Sequence, residues 1–279
     1  MTTQTSYVPA LPPVVRQVVD GLAGSPAVRS VRIAGSRARG RPTGPDSDWD
    51  ILVYVDEVPS EAELRRLLPG LPSGSEPVEL VTANLGHPFQ ESEFSVPVSP
   101  RIDVCLRPLA NLEAERERAD RGAFLVHSYP KIHSGVPSYI LLSEAALSVS
   151  VHGEVGRPPC PVALRDNAAA WWRGRAACCL LLATDHVRAG ETIGALGHVL
   201  AAATSLAHAR LIGRGYWYPI TKRLLDEPGA LPDGARRGLS DLSAGLMTAA
   251  SVDRIAGDMA LDPEDGLEWL AQGRHMGVE

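Results

Sequence analysis

Two aspartates one residue apart, Asp48 and Asp50, stand at the head of an apolar run ending at Val55, and a Gly35-Ser36 pair follows an earlier apolar run. Alternate side chains of a strand share a face, so a strand over Trp49–Val55 aims both carboxylates at one spot and sends Trp49 the other way. Carboxylates that close repel each other, and a site that keeps both ionised needs a cation. Hard divalent ions such as Mg²⁺ take oxygens from one or two carboxylates together with substrate phosphates, so the pair implies metal plus phosphate. Upstream, Ser30–Ala34 reads as a short strand. Gly35 then lets the backbone turn sharply and Ser36 adds a hydroxyl, a pattern suited to gripping the tail of a nucleoside triphosphate. A third acid, Asp103, lies among apolar neighbours in the run Arg101–Leu106. Paired beside the first acidic strand, it comes to the same edge. Three carboxylates can hold two metal ions, the general arrangement for in-line nucleotidyl transfer.

These residues resemble a known family. Gly35-Ser36, a spacer of eleven residues, Asp48-x-Asp50 and the later Asp103 are similar to the nucleotidyltransferase superfamily that includes DNA polymerase beta, and most closely to its small-molecule branch of aminoglycoside nucleotidyltransferases. The wording Gly-Ser-Arg-Ala-Arg-Gly from Gly35 to Gly40 matches that family's usual form. The resemblance implies that Gly35 and Ser36 contact the triphosphate, that Asp48 and Asp50 hold Mg²⁺, and that Asp103 is a metal ligand, a general base for the acceptor hydroxyl, or both. Glu144 and Glu154, near the domain junction, are the alternative bases. Arg37, next to Ser36, is given a place in the phosphate pocket, whereas Asp46 reads as a turn former. Lys222, in the segment Tyr216-Trp217-Tyr218-Pro219-Ile220-Thr221-Lys222, is similar to an aromatic-Pro-x-x-Lys segment of the superfamily's helical domains and is expected to meet the triphosphate.

The composition narrows the class of partner. With 279 residues the chain is long enough for two domains, and its 44% hydrophobic and 22% charged residues are ordinary for a globular protein. A net charge of -6 argues against extended nucleic-acid binding, which calls for a basic stripe. It suits a small, and even a polycationic, acceptor. The four cysteines offer no C-x-x-C framework, the N-terminus lacks a signal pattern, and no apolar run is read as approaching the ~20 residues that span a bilayer. A cytoplasmic chain with no membrane partner is the expectation.

The elements that must position the acids follow from periodicity and punctuation. A helix is expected over Leu11–Leu22, strands over Ser30–Ala34 and Trp49–Val55, and a helix over Ser60–Leu68 with a Ser60/Glu63 capping box. Strands near Val78–Thr82 and Ile102–Leu106, a surface helix over 109–120 and a strand over Ser138–Leu142 complete a mixed α/β unit. Gly and Pro residues between His152 and Val162 suggest a linker. Beyond it, helices are expected over 163–188 and 191–212, with shorter ones over 219–227, 233–249 and 251–260. The fold class expected is α+β: a nucleotidyltransferase core with a mixed sheet over residues 1–150 and a helical, substrate-binding bundle over 163–279. His186, His198 and His208 are read as packing residues, as are Trp171 and Trp172.

The function this implies is a Mg²⁺-dependent transfer of a nucleoside monophosphate to a hydroxyl of a small molecule, an aminoglycoside-like antibiotic or a natural-product intermediate, with release of pyrophosphate. A homodimer is one way to complete such a site. The rivals are a protein-modifying nucleotidyltransferase of the toxin–antitoxin type and a nucleotide-binding regulator without turnover.

Overall fold

The computed structural model describes residues 10–40, 44, 47–67, 93–96, 98–129, 132–218, 223–243, 248–272 and 277–278. In chain order the elements are α1 (Pro13–Ala23), β1 (Val28–Ile33), α2 (Gly35–Ala38), β2 (Trp49–Val55), α3 (Glu61–Leu67), β3 (Glu93–Val96), β4 (Ile102–Pro108) and α4 (Leu109–Asp120). They continue with β5 (Phe124–Tyr129), β6 (Ile132–Pro137), α5 (Ile140–Leu147), β7 (Val149–Gly153), α6 (Val162–Arg188) and α7 (Thr192–Gly213). A 3-10 turn at Leu224–Asp226, α8 (Asp233–Ser243), α9 (Ala249–Met259), α10 (Pro263–Ala271) and β8 (Gly277–Val278) close the series. The fold is α+β. The strand expected over Val78–Thr82, and with it Asp46 and Lys222, lies outside the described residues.

By its internal contacts the chain divides into two compact units, Met1–Arg116 with Leu141–Pro159, and Glu117–Ile140 with Cys160–Glu279. This division differs from a single cut at the linker, because β5 and β6 form their own sheet, in the order β6-β5-β8, with a strand from the far end of the chain. Pairing of β5 with β8 joins distant parts of the chain, and no local pattern encodes it.

The first unit is built on a five-stranded sheet in the order β3-β4-β2-β1-β7. Only β2 and β4 run parallel; the other pairs are antiparallel. One face is wholly apolar: Val31, Ile33, Ile51, Val53, Val104 and Leu106 pack with Val15, Val18, Val19 and Leu22 of α1 and with Leu64 of α3. Each fully buried Val, Leu or Ile contributes roughly 1.5–3 kcal/mol, so this layer anchors the three central strands. The Ser60 cap is in place, its backbone N–H donating to Glu63 Oε2 at 2.8 Å while its hydroxyl accepts from the Glu63 N–H.

The opposite face mixes polar and apolar side chains, with Ser30, Arg32, Leu52, Tyr54 and Arg107 buried on it. Arg32 is 1% exposed. It donates to Ser148 Oγ and to the backbone carbonyls of Ala145, Ser148 and Val155, tying β1 to the chain on either side of β7. Burial lowers its pKa, but a guanidinium remains charged, and these acceptors are what make its position tolerable. Helix α5 replaces the strand expected over Ser138–Leu142. The run Ile140-Leu141-Leu142 is buried on all sides, and such a run carries neither a helical nor a strand period.

The second unit is organised by α6 and α7, joined through Gly190 at φ +78, the stop expected from sequence. Small residues, Ala176, Ala177 and Ala183 against Ala202 and Ala203, let the two helices approach closely, with Leu180, Val199 and Leu206 filling the seam. Among the described residues α7 is long and apolar enough to cross a membrane by length and composition. That corrects the reading that no such run exists, although most of its apolar residues are buried inside this unit. Helix α10 was not expected; Asp262 caps it by accepting from the Glu264 N–H. The helix expected over 219–227 is, within the described residues, the single 3-10 turn.

Trp171 and Trp172 are core residues, as expected. Trp171 meets Phe124 and Trp269 edge-on, and Trp172 Nε1 donates to the Tyr139 hydroxyl at 2.8 Å. His208 stacks on Trp172 with ring centroids 4.6 Å apart. Burial, reinforced by the positive charge of Arg175, drives its pKa down to about 3. Between an unfolded-state value near 6.5 and that folded value, the unfolded chain binds a proton that the native chain does not, so native stability falls as pH falls through this window, by about 1.4 kcal/mol per unit. His208→Phe removes the titration while keeping a ring over Trp172. Melting curves of the two proteins are expected to agree near pH 7 and to diverge towards pH 4.5, with the wild type the less stable; parallel pH profiles would contradict the assignment.

Candidate functional site

The acids come together through strand register. Asp50 and Asp103 are direct neighbours across the parallel β2/β4 pair, so their Cα atoms are about 4.8 Å apart and their side chains share a face. Ser95 of β3 continues the same row on the other side of Asp103. The start of β2 is pinned to β4 by the Trp49 N–H, which donates to Arg101 O at 2.9 Å. Asp48 lies immediately before that anchor. It emerges on the same face as Asp50 by alternation, while Trp49, 2% exposed, enters the apolar layer.

Gly35 closes the rim from β1. Its φ is +63, and a Cβ there would lie 1.8 Å from Asp50 Oδ2, so the backbone passes against the carboxylate in a way only glycine allows. The Ala34 N–H donates to Asp50 O at 2.8 Å, holding the turn to β2. Ser36 follows, half-buried, in the short helix α2. The sheet therefore brings Gly35, Ser36, Asp48, Asp50 and Asp103 into one neighbourhood.

Arg37 has a different role from the one expected. Its guanidinium donates to the carbonyls of Ser47 and Asp48 and lies 4.3 Å over the Trp49 ring. Trp49 faces away from the acids, so Arg37 clips the connecting loop on the far side of the strand. Neighbouring residues on a helix point about 100° apart, and adjacency to Ser36 did not carry Arg37 to the same place.

Two residues that sequence reasoning missed hold Asp103. Its Oδ1 accepts from Ser95 Oγ at 2.5 Å, and its Oδ2 accepts from Arg101 Nη2 at 2.7 Å. The same nitrogen is 3.2 Å from Asp48 Oδ2. Hydrogen bonding to Asp103 and its charge, with the charges of Asp48 and Asp50 added, raise the pKa of Arg101, so all three acids act on this one cation. The signal was present: Arg101 precedes Asp103 by two and so shares its face.

Among the described residues no three Asp, Glu, His or Cys groups converge closely enough to hold a metal ion. Both oxygens of Asp103 are engaged here, by Ser95 and Arg101. The donor set nevertheless fits a hard divalent cation. It is made entirely of carboxylate oxygens, two of its members already share one positive group, and the absent Cβ of Gly35 leaves room for the Asp50 carboxylate against the turn.

The alternative bases lie elsewhere. Glu144 forms a two-pronged pair with Arg107, 2.8 Å to Nε and 3.1 Å to Nη2. Arg107 is four residues from Asp103 along β4, roughly 13 Å away. Glu154 is 83% exposed, next to Gly153, which pairs with Ser30 near the far end of β1. Neither reaches the rim. Glu144 serves stability instead: Glu144→Gln weakens a buried two-pronged ion pair on the 3%-exposed Arg107 and is expected to cost about 3 kcal/mol in denaturant unfolding. Turnover per folded molecule should stay within a few-fold of wild type, and its loss in a folded variant would restore Glu144 as a base.

Neither a protein-family model nor a curated protein matches this chain. Solved structures similar to it include the following two. The first is a nucleotidyltransferase-like protein from Exiguobacterium sibiricum 255-15, with 10% identity over 93% of this chain and 78% of that chain and a TM-score of 0.41. The second is an aminoglycoside 6-adenyltransferase from Bacillus subtilis, with 10% identity over 94% of this chain and 92% of that chain and a TM-score of 0.29. Both TM-scores are below 0.5, so the reading of the site rests on the geometry above.

Proposed function

We propose that this chain is a nucleotidyltransferase that moves a nucleoside monophosphate from a nucleoside triphosphate to a hydroxyl of a small molecule. The observation that carries the reading is the register of Asp50 with Asp103 on parallel neighbours, with Gly35 turned against Asp50 from the third strand. Asp48, Asp50 and Asp103 would hold Mg²⁺, which supplies positive charge against the phosphates when bound. The turn at Gly35-Ser36 brings backbone and a hydroxyl towards the triphosphate. The acceptor oxygen forms a bond to the α-phosphorus as the bond from that phosphorus to the pyrophosphate oxygen breaks. Of the three candidate bases, only Asp103 is at the rim to take the hydroxyl proton.

The acceptor is proposed to be an aminoglycoside-like antibiotic or a related hydroxylated natural product, which the net charge of -6 favours if it is cationic. The test is a pyrophosphate-release screen of all four triphosphates with Mg²⁺ against aminoglycosides, other hydroxylated antibiotics and sugars, followed by mass spectrometry of the acceptor. An acceptor heavier by one nucleoside monophosphate supports the reading. Triphosphate binding with no release across the panel would favour a regulator, and label transferred to protein would favour a protein-modifying enzyme.

A further inference from the structure

The position of Arg101 is unusual for an ordinary surface ion pair. One nitrogen, Nη2, bridges carboxylates from two places in the chain, Asp48 before β2 and Asp103 within β4. The arginine backbone is fixed, because its carbonyl accepts from the Trp49 N–H, while its side chain is 55% exposed and has a free path into solvent. Asp103 keeps Ser95 on Oδ1, so Oδ2 is the atom whose partner can change without disturbing the strand. Resting on the reading above, we propose that Arg101 is a resident counter-ion of the carboxylate rim: it holds Asp48 and Asp103 together and is displaced when a divalent cation binds.

The physical basis is competition for the same oxygens. Without a cation the acids repel one another; a guanidinium relieves that repulsion with a single diffuse and weakly hydrated charge. A divalent ion on three carboxylates offers more, and a half-exposed ion pair resists it by no more than about fivefold in binding. Arg101 is thus a positioning residue that keeps the rim ordered before the metal arrives and lowers metal affinity by the amount needed to displace it. A purely structural arginine would have the opposite signature, since its loss would let Asp103 wander and weaken metal binding.

The experiment measures Mn²⁺ binding without nucleotide, by the electron paramagnetic resonance signal of free Mn²⁺, for the full chain, Arg101→Gln, Arg101→Lys and an Asp50→Asn control. Arg101→Gln is expected to bind Mn²⁺ about fivefold more tightly than wild type. Its melting temperature should fall below wild type in metal-free buffer and return to it at saturating Mn²⁺. Should Arg101→Gln fail to fold, Arg101→Lys decides, because its shorter side chain sets the ammonium back from the two oxygens that Nη2 reaches, and it should also bind Mn²⁺ more tightly. Wild-type binding that depends on Asp50, together with equal or weaker binding in the Arg101 variants, overturns the counter-ion role and leaves the metal site standing. Binding in wild type no tighter than in Asp50→Asn overturns both.

Discussion

Asp50→Asn is expected to lower pyrophosphate release by about a thousandfold while leaving the melting temperature nearly unchanged. Asparagine keeps the shape of the side chain but removes the charge at the centre of the rim, between Gly35 on one side and Asp103 on the other. The site then loses the electrostatic attraction for a cation and the fixed negative field that positions it. Stability should change little, because asparagine keeps the shape of the side chain and the repulsion it relieves among the carboxylates offsets the attraction to Arg101 that it gives up. Asp48→Asn should behave in the same direction. Wild-type turnover in a folded Asp50→Asn protein would remove the proposed function altogether.

Gly35→Ala should have the next largest effect and act without altering any charge. The new methyl would sit 1.8 Å from Asp50 Oδ2 and 2.8 Å from its Cγ, so the carboxylate must swing out of its place or the turn must open. An alanine at φ +63 adds roughly 1–2 kcal/mol of backbone strain. Misplacing a reacting group by an ångström costs on the order of a hundredfold in rate, and that is the expected loss. The melting temperature should drop by only a few degrees. The check is to measure both on one preparation, together with Mn²⁺ affinity, which should fall as well. Full activity in Gly35→Ala would mean that Asp50 does not need its observed position.

The legible part of the site lay in short-range pattern. Strand β2 follows the expected bounds, and β1 and β4 are displaced or extended by only a few residues, because each is an apolar run with clear punctuation. Helices α6 and α7 were legible for the same reason, with Gly190 marking the turn between them. What failed was local context without periodicity. The all-apolar start of α5 read as a strand, and β5 and β6 were missed, the apolar run Phe124-Leu125-Val126 being short and β6 interrupted by Gly135, although they form a sheet with β8. For Arg37, and for Glu144, which stood only as an alternative to Asp103, proximity in sequence or at a domain junction did not determine where the side chain goes. Their partners, Trp49 and Arg107, place them elsewhere.

The sequence by itself determined the chemistry on offer: which residues are acids, that Asp48 and Asp50 share a face, and that a glycine with a following serine turns after a strand. These follow from covalent geometry and the two-residue period of a strand, which need no knowledge of distant neighbours. Only the tertiary structure decided that β4 lies parallel to β2 in the register pairing Asp103 with Asp50, and that the two oxygens of Asp103 belong to Ser95 and Arg101. A slip of one residue would have turned Asp103 to the other face, and what prevents it is the packing of Val104 and Leu106 into the apolar layer, a constraint spread over the whole sheet.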